Sequence, residues 1–280
     1  MQLPPDWPHA RHSRFVDAHS IIWHVQTMGE GPDILLVHGT GASTHSWRDV
    51  MPLLSGSHRV HAIDLPGHAF TSQADAQGRS LDGMVSGIAE LLRTLNIKPA
   101  VVVGNSAGSA ILARMCAMNH IDPERFISFN GAFFPIAGIA GAVFSPIAKT
   151  FAAIPFMPNL FARMADANAV ARLMADTGSK LSPEGLALYQ RLFRSPTHIE
   201  ATLGMMAAWD LSGMTQDLSR LKTRVIMVAA QNDKTIPPAV AHKAAALTPH
   251  AQVVTVAHYG HLMHEEDPKQ AADIIRNTSL

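Results

Sequence analysis

The chain has 280 residues, 47% of them hydrophobic, and it carries 22 Lys+Arg against 22 Asp+Glu. That length and apolar content suit either two average domains or one large α/β domain with a substantial core. The balanced charge gives no electrostatic case for binding nucleic acid or an anionic membrane, and the single cysteine, Cys116, excludes an internal disulfide framework and fits a reducing, cytoplasmic compartment.

Taken in order, residues 1–17 read as an irregular arm. Met1 to Phe15 contains prolines, histidines and arginines but no apolar segment, so no secretory signal is expected. Short β-rich runs predict strands over 20–26, 33–38, 59–64, 101–103, 125–130, 224–230 and 252–256. Helices are expected over 44–54, 80–95, 109–118, 237–247 and 267–277. The helix at 80–95 is the clearest, with Leu81, Met84, Val85, Ile88, Leu91, Leu92 and Leu95 on one face. Asp267-Pro268 supplies an N-cap and a first-turn proline for the last helix. Strands alternating with helices predict a mostly parallel sheet with helices on both faces.

Residues 131–215 break this alternation. They are rich in Ala, Met, Phe and Pro and read as several short helices, a helical cap inserted between core segments 1–130 and 216–280. No charge occurs from Phe126 to Ala148, a run long enough for a membrane span. Asn130-Gly131, Pro135 and Pro146 interrupt it, so it reads as the end of the core sheet entering the cap. Met157, Met164, Met174, Met205, Met206 and Met214 give the cap adaptable apolar surface.

The chemistry is expected at Gly104-Asn105-Ser106-Ala107-Gly108, a G-x-S-x-G sequence between the run Val101-Val102-Val103 and a small-residue helix. In that setting the serine occupies a sharp strand-to-helix turn with its Oγ exposed, and glycines are needed where strand and helix crowd together. A serine nucleophile needs a base and a group to orient that base. Asp233 follows the strand at 224–230, and His261 follows the strand at 252–256, in the chain order Ser, Asp, His. All three fall at the carboxyl ends of strands, where parallel sheets carry their sites. The oxyanion donors are expected to be the N–H groups of Ala107 and Thr40, with Gly41 as second choice for the latter. His38 is expected to shape the Thr40 loop rather than act as base. The expected pocket residues are His38, Gly41, Asn105 and Trp209. Asp64 and His68 either line the pocket or stabilise their turn. His258, His261 and His264 have a spacing that raises a metal site, but Tyr259-Gly260 interrupts it and no metal or other cofactor is expected.

These motifs, His38-Gly39-Thr40-Gly41, Gly104-Asn105-Ser106-Ala107-Gly108, Asp233 and Gly260-His261, resemble the α/β-hydrolase superfamily across residues 15–280. The run from His38 to Asp49 is similar to the magnesium chelatase accessory proteins encoded with bacteriochlorophyll genes. So are Asn130-Gly131-Ala132, Met205-Met206-Ala207-Ala208-Trp209-Asp210-Leu211 and His261-Leu262-Met263-His264-Glu265-Glu266. Asn105 stands where His is common in such elbows, and Ala69 where Gly is common. The resemblance implies an α/β-hydrolase fold and a role near magnesium insertion into protoporphyrin IX. Three functions follow: a serine hydrolase of esters or related acyl substrates, a non-catalytic accessory binding a tetrapyrrole or chelatase subunits, and a carbon–carbon bond hydrolase on the same triad. A small apolar substrate or tetrapyrrole is expected under the cap, with chelatase subunits as partners and a membrane contact as a further alternative.

Overall fold

The computed structural model describes residues 2–135, 154 and 156–277. Among these, eight strands form one sheet: β1 (Ser13–Ala18), β2 (Ile21–Met28), β3 (Asp33–Val37), β4 (Arg59–Ile63), β5 (Val101–Asn105), β6 (Arg125–Phe129), β7 (Arg224–Ala230) and β8 (Ala251–Val256). Their order is β1-β2-β4-β3-β5-β6-β7-β8. β1 and β2 pair antiparallel, as do β2 and β4, and every pairing from β4 to β8 is parallel.

Both faces of the parallel part are covered, and the sequence follows the strand period. Leu35 and Val37 of β3, Val102 of β5, and Val225 and Met227 of β7 point into one apolar cluster. Ile34 and Leu36, Val101 and Val103, and Ile226 and Val228 point into the other. This is why the strands read as continuous apolar runs rather than alternating ones. The helices α1 (Val50–Leu54), α2 (Leu81–Leu95) and α3 (Ala107–Ala117) lie between the first six strands. α2 starts where Ser80 Oγ accepts the Gly83 N–H at 3.1 Å and ends at Asn96, in the left-handed region at φ 52°.

Between β6 and β7 the described residues form α4 (Met157–Met164), α5 (Ala167–Asp176), α6 (Pro183–Phe193), α7 (Pro196–Ala208) and α8 (Met214–Ser219). Three of these open on side-chain caps, Asp166, Ser182 and Ser195. α9 (Ala239–Leu247), α10 (Met263–Glu266) and α11 (Pro268–Arg276) follow, the last capped by Asp267. α2, α3, α8 and α9 cover one face of the sheet, and α1, α10 and α11 the other. No helix among the described residues is long and apolar enough to cross a membrane. Residues 136–148 of the uncharged run, Pro146 included, lie outside the described residues.

Two expectations need correction. The arm is not irregular throughout, because residues 13–18 form the edge strand β1. Only Ala18 of that strand is buried, so its sequence carries no apolar alternation. The helix expected over 44–54 is a 3-10 turn at Thr44–Trp47 followed by α1. Pro52 sits in the first turn of α1, where its missing N–H costs no hydrogen bond.

Candidate active site

β5 ends at Asn105 and α3 begins at Ala107, so Ser106 alone makes the turn, at φ 52° and ψ −117°. A non-glycine residue held there stores strain of order 1–3 kcal/mol. The flanking glycines are a steric requirement. A Cβ at Gly104 would collide with the Ser109 backbone, and one at Gly108 with the carbonyl of Val37. A Cβ at Gly39 would lie 2.9 Å from Ser106 Cβ, so the loop after β3 passes directly over the serine.

Asp233 and His261, at the ends of β7 and β8, meet. His261 Nδ1 donates to Asp233 Oδ2 at 2.7 Å. The other oxygen, Oδ1, accepts the Thr235 and Ile236 N–H groups at 2.7 and 2.8 Å. A carboxylate so engaged keeps the imidazole proton on Nδ1 and leaves the Nε2 lone pair free to accept one. Among the described residues, no hydrogen bond yet joins His261 to Ser106 Oγ. Such links are often loose before substrate binds.

Asn105 and Asn130 fix the distance between the serine and the histidine loop. Asn105 Nδ2 donates to Phe129 O and His261 O, both at 3.2 Å. Asn130 Nδ2 donates to Gly260 O at 3.1 Å and His261 O at 3.0 Å, while its Oδ1 accepts the Ala230 N–H at 2.9 Å. Asn130 therefore ties the ends of β6, β7 and the His261 loop together. Sequence reading named Asn105 but missed Asn130 as a site residue, since no spacing marks it. The insert also presses on this loop. A Cβ at Gly260 would collide with Gly178 and Ser179, and the Leu262 N–H donates to Ser179 Oγ at 2.9 Å.

Neither Ala107 N–H nor Thr40 N–H has a hydrogen-bond partner among the described residues, so both remain available to an oxyanion. His38 is fully buried, with Nδ1 donating to Gly39 O at 2.7 Å and Nε2 accepting the Leu65 N–H at 3.0 Å. Burial lowers its pKa, and with both nitrogens engaged it is a strut of the loop. Gly41 turns that loop at φ 79°, and a Cβ there would come within 3.6 Å of Phe193 and Thr202 of the insert. Trp209 packs on the larger apolar cluster from the end of α7.

Asp64 and His68 are both fully buried. Asp64 accepts from His24 Nδ1 at 2.7 Å, Thr44 N–H at 2.6 Å and Phe70 N–H at 3.3 Å. Burial alone would raise its pKa, but His24 and these donors outweigh it and bring the value down to about 2. It is a turn-holding carboxylate. The three spaced histidines part company: His261 pairs with Asp233, His264 Nε2 donates to Ser46 Oγ at 2.8 Å, and His258 is exposed at φ 71°. Among the described residues no group of three or more His, Cys, Asp or Glu side chains is arranged to hold a metal ion.

Behind the histidine loop lies a second polar cluster. Glu265 accepts from Ser46 Oγ at 2.6 Å, Tyr189 OH at 2.8 Å and Arg48 Nη1 at 2.8 Å. Burial raises the Glu265 pKa despite the Arg48 charge. The cluster joins the 3-10 turn, α6 of the insert and α10. Cys116 is remote from all this, and burial pushes its thiol up to about 12, which leaves it unreactive.

Residues 34–274 match the sequence profile of the alpha/beta hydrolase family. The chain is 36% identical to the Magnesium-chelatase 30 kDa subunit of Rhodobacter capsulatus over 267 residues, covering 94% of this chain and 93% of that one. It is 27% identical over 240 residues to the Pimeloyl-[acyl-carrier protein] methyl ester esterase of Xanthomonas axonopodis pv. citri, covering 85% of this chain and 91% of the esterase. A solved alpha/beta hydrolase fold protein from Burkholderia ambifaria superposes with a TM-score of 0.76 at 23% identity, covering 95% of this chain and 99% of the other. Matched profile, shared fold and full-length relatives agree that this chain belongs to the alpha/beta hydrolase family.

Proposed function

We propose that the protein is a serine hydrolase of ester or related acyl substrates, serving as an accessory to magnesium insertion in bacteriochlorophyll synthesis. One observation carries the chemistry: the buried Asp233–His261 pair, whose histidine carbonyl is bonded to Asn105, the residue next to the strained Ser106. His261 Nε2 takes the Ser106 proton as Oγ attacks the acyl carbon. Thr40 and Ala107 N–H groups hold the oxyanion. The same imidazole returns the proton to the leaving alcohol, and water then releases the acyl group by the reverse path. The helices between β6 and β7 form the cap that selects what reaches Ser106, and the reaction runs in the cytoplasm.

Hydrolysis of p-nitrophenyl esters by wild type, Ser106→Ala and Asp233→Asn tests this reading. Ser106→Ala is expected to abolish turnover, and Asp233→Asn to lower kcat by up to about 10⁴-fold through loss of the correct imidazole tautomer. Wild-type activity no greater than that of Ser106→Ala would refute it.

The full-length similarity to the Magnesium-chelatase 30 kDa subunit favours a second reading, in which the fold binds a tetrapyrrole or a chelatase subunit without catalysis. A protoporphyrin IX titration with no fluorescence quenching or absorbance shift, together with no association with chelatase subunits, would remove that reading.

A further inference from the structure

The loop that carries Thr40 is gripped by two histidines, and one of them comes from the insert. His198 lies in the first turn of α7 and is fully buried. Its Nδ1 accepts the Ala69 N–H at 3.1 Å, and its Nε2 donates to Gly41 O at 3.0 Å. An acceptor at Nδ1 fixes the proton on Nε2, so only the neutral ring makes both bonds. Burial brings its pKa down to about 4, which keeps the ring neutral.

The two backbone units it holds are left-handed, Gly41 at φ 79° and Ala69 at φ 46°. On the other side of Thr40, His38 Nδ1 donates to Gly39 O. Gly39 C=O and Thr40 N–H share one rigid peptide plane and point in opposite directions. Fixing Gly39 O therefore aims the Thr40 N–H. Gly41 C=O shares its own plane with the Ala42 N–H, which donates to Gly39 O at 3.2 Å, so fixing Gly41 O holds Gly39 O from the other side. The rings continue one another through His68, with centroids 5.4 Å (His38–His68) and 5.2 Å (His68–His198) apart.

We propose that His198 is a positioning residue of the oxyanion loop, so that the helical insert, and not the core alone, completes the oxyanion hole. This rests on the hydrolase reading for its catalytic consequence, while the grip on the loop is a claim about backbone geometry. A Cβ placed on Gly41 would come within 3.6 Å of Phe193 and Thr202, so these insert side chains also face the loop.

The test compares His198→Asn and His198→Gln. Asn keeps an acceptor near the Ala69 N–H but is too short to reach Gly41 O, whereas Gln keeps a donor at about the reach of Nε2. His198→Asn is expected to lower kcat for p-nitrophenyl butyrate about tenfold with KM within about twofold, and His198→Gln to recover most of that loss. Amide hydrogen exchange across residues 39–42 should quicken in the Asn variant and return towards wild type in Gln. Equal kcat in both variants, or wild-type kcat in Asn, overturns the proposal and leaves the hydrolase reading standing. A wild type without esterase activity defeats the hydrolase reading instead. The exchange comparison then decides: unchanged exchange at residues 39–42 overturns the grip, and faster exchange in Asn alone supports it.

Discussion

At the residue scale, two asparagine amides hold the proposed triad in place. His261 O accepts from both Asn105 and Asn130, and Asn130 also closes on Gly260 O and Ala230 N–H. Asn130→Ala leaves the Ala230 N–H and the Gly260 O buried without that partner, at a cost of about 1–3 kcal/mol. The expected outcome is a lower urea midpoint together with a loss of esterase kcat of roughly 10- to 100-fold, since small displacements of a base are costly. Urea melts and steady-state kinetics on one preparation check it, and unchanged kcat would contradict a positioning role. Ser106 was legible because strain leaves a steric signature in sequence, Gly104 and Gly108 standing where a Cβ would strike backbone. Asn130 was not legible as a site residue, because its partners are backbone atoms of two distant segments, Ala230 and Gly260–His261, and neither requires a particular residue type.

At the element scale, the strands and helices whose pattern reflects burial were readable, and those whose pattern does not were missed. β3, β5 and β7 are buried on both faces and read as apolar runs, and α2 shows its stripe. β1 is an edge strand with one buried residue, and its pairing with β2 gives no alternation to read. The break between the 3-10 turn and α1 follows from tertiary contacts: Arg48 turns to Glu265, 217 residues away. That cluster also gives a prediction. Tyr189→Phe removes the α6 hydroxyl from Glu265 Oε1 and leaves Ser46 as that oxygen's donor. The loss of one charge-assisted bond to a fully buried carboxylate should cost about 1–3 kcal/mol. It should appear as a lower urea midpoint, and a midpoint equal to wild type would mean that α6 is not anchored through this group.

At the scale of the whole molecule, buried neutral histidines set the response to acid. Burial lowers the pKa of His38, His45 and His68, brings His198 to about 4 and His264 to about 3. In the unfolded chain these groups titrate near pH 6.5. Between that pH and their folded values the unfolded state binds the extra protons, so stability falls as pH drops from about 6.5 towards 4. His198 alone corresponds to on the order of 3 kcal/mol over that window. Urea midpoints at pH 7, 6, 5 and 4.5 should fall steeply, and a flat series would contradict the buried histidine network. Asp64, brought to about 2, adds to the loss only at lower pH.

The central claim is that Ser106 is an activated nucleophile, and intact-mass and peptide analysis after exposure to a fluorophosphonate tests it most directly. The account predicts a single adduct on the wild-type peptide containing Ser106, much slower labelling of Asp233→Asn, and none of Ser106→Ala. A wild type that stays unlabelled, or an equal adduct on Ser106→Ala, would contradict it.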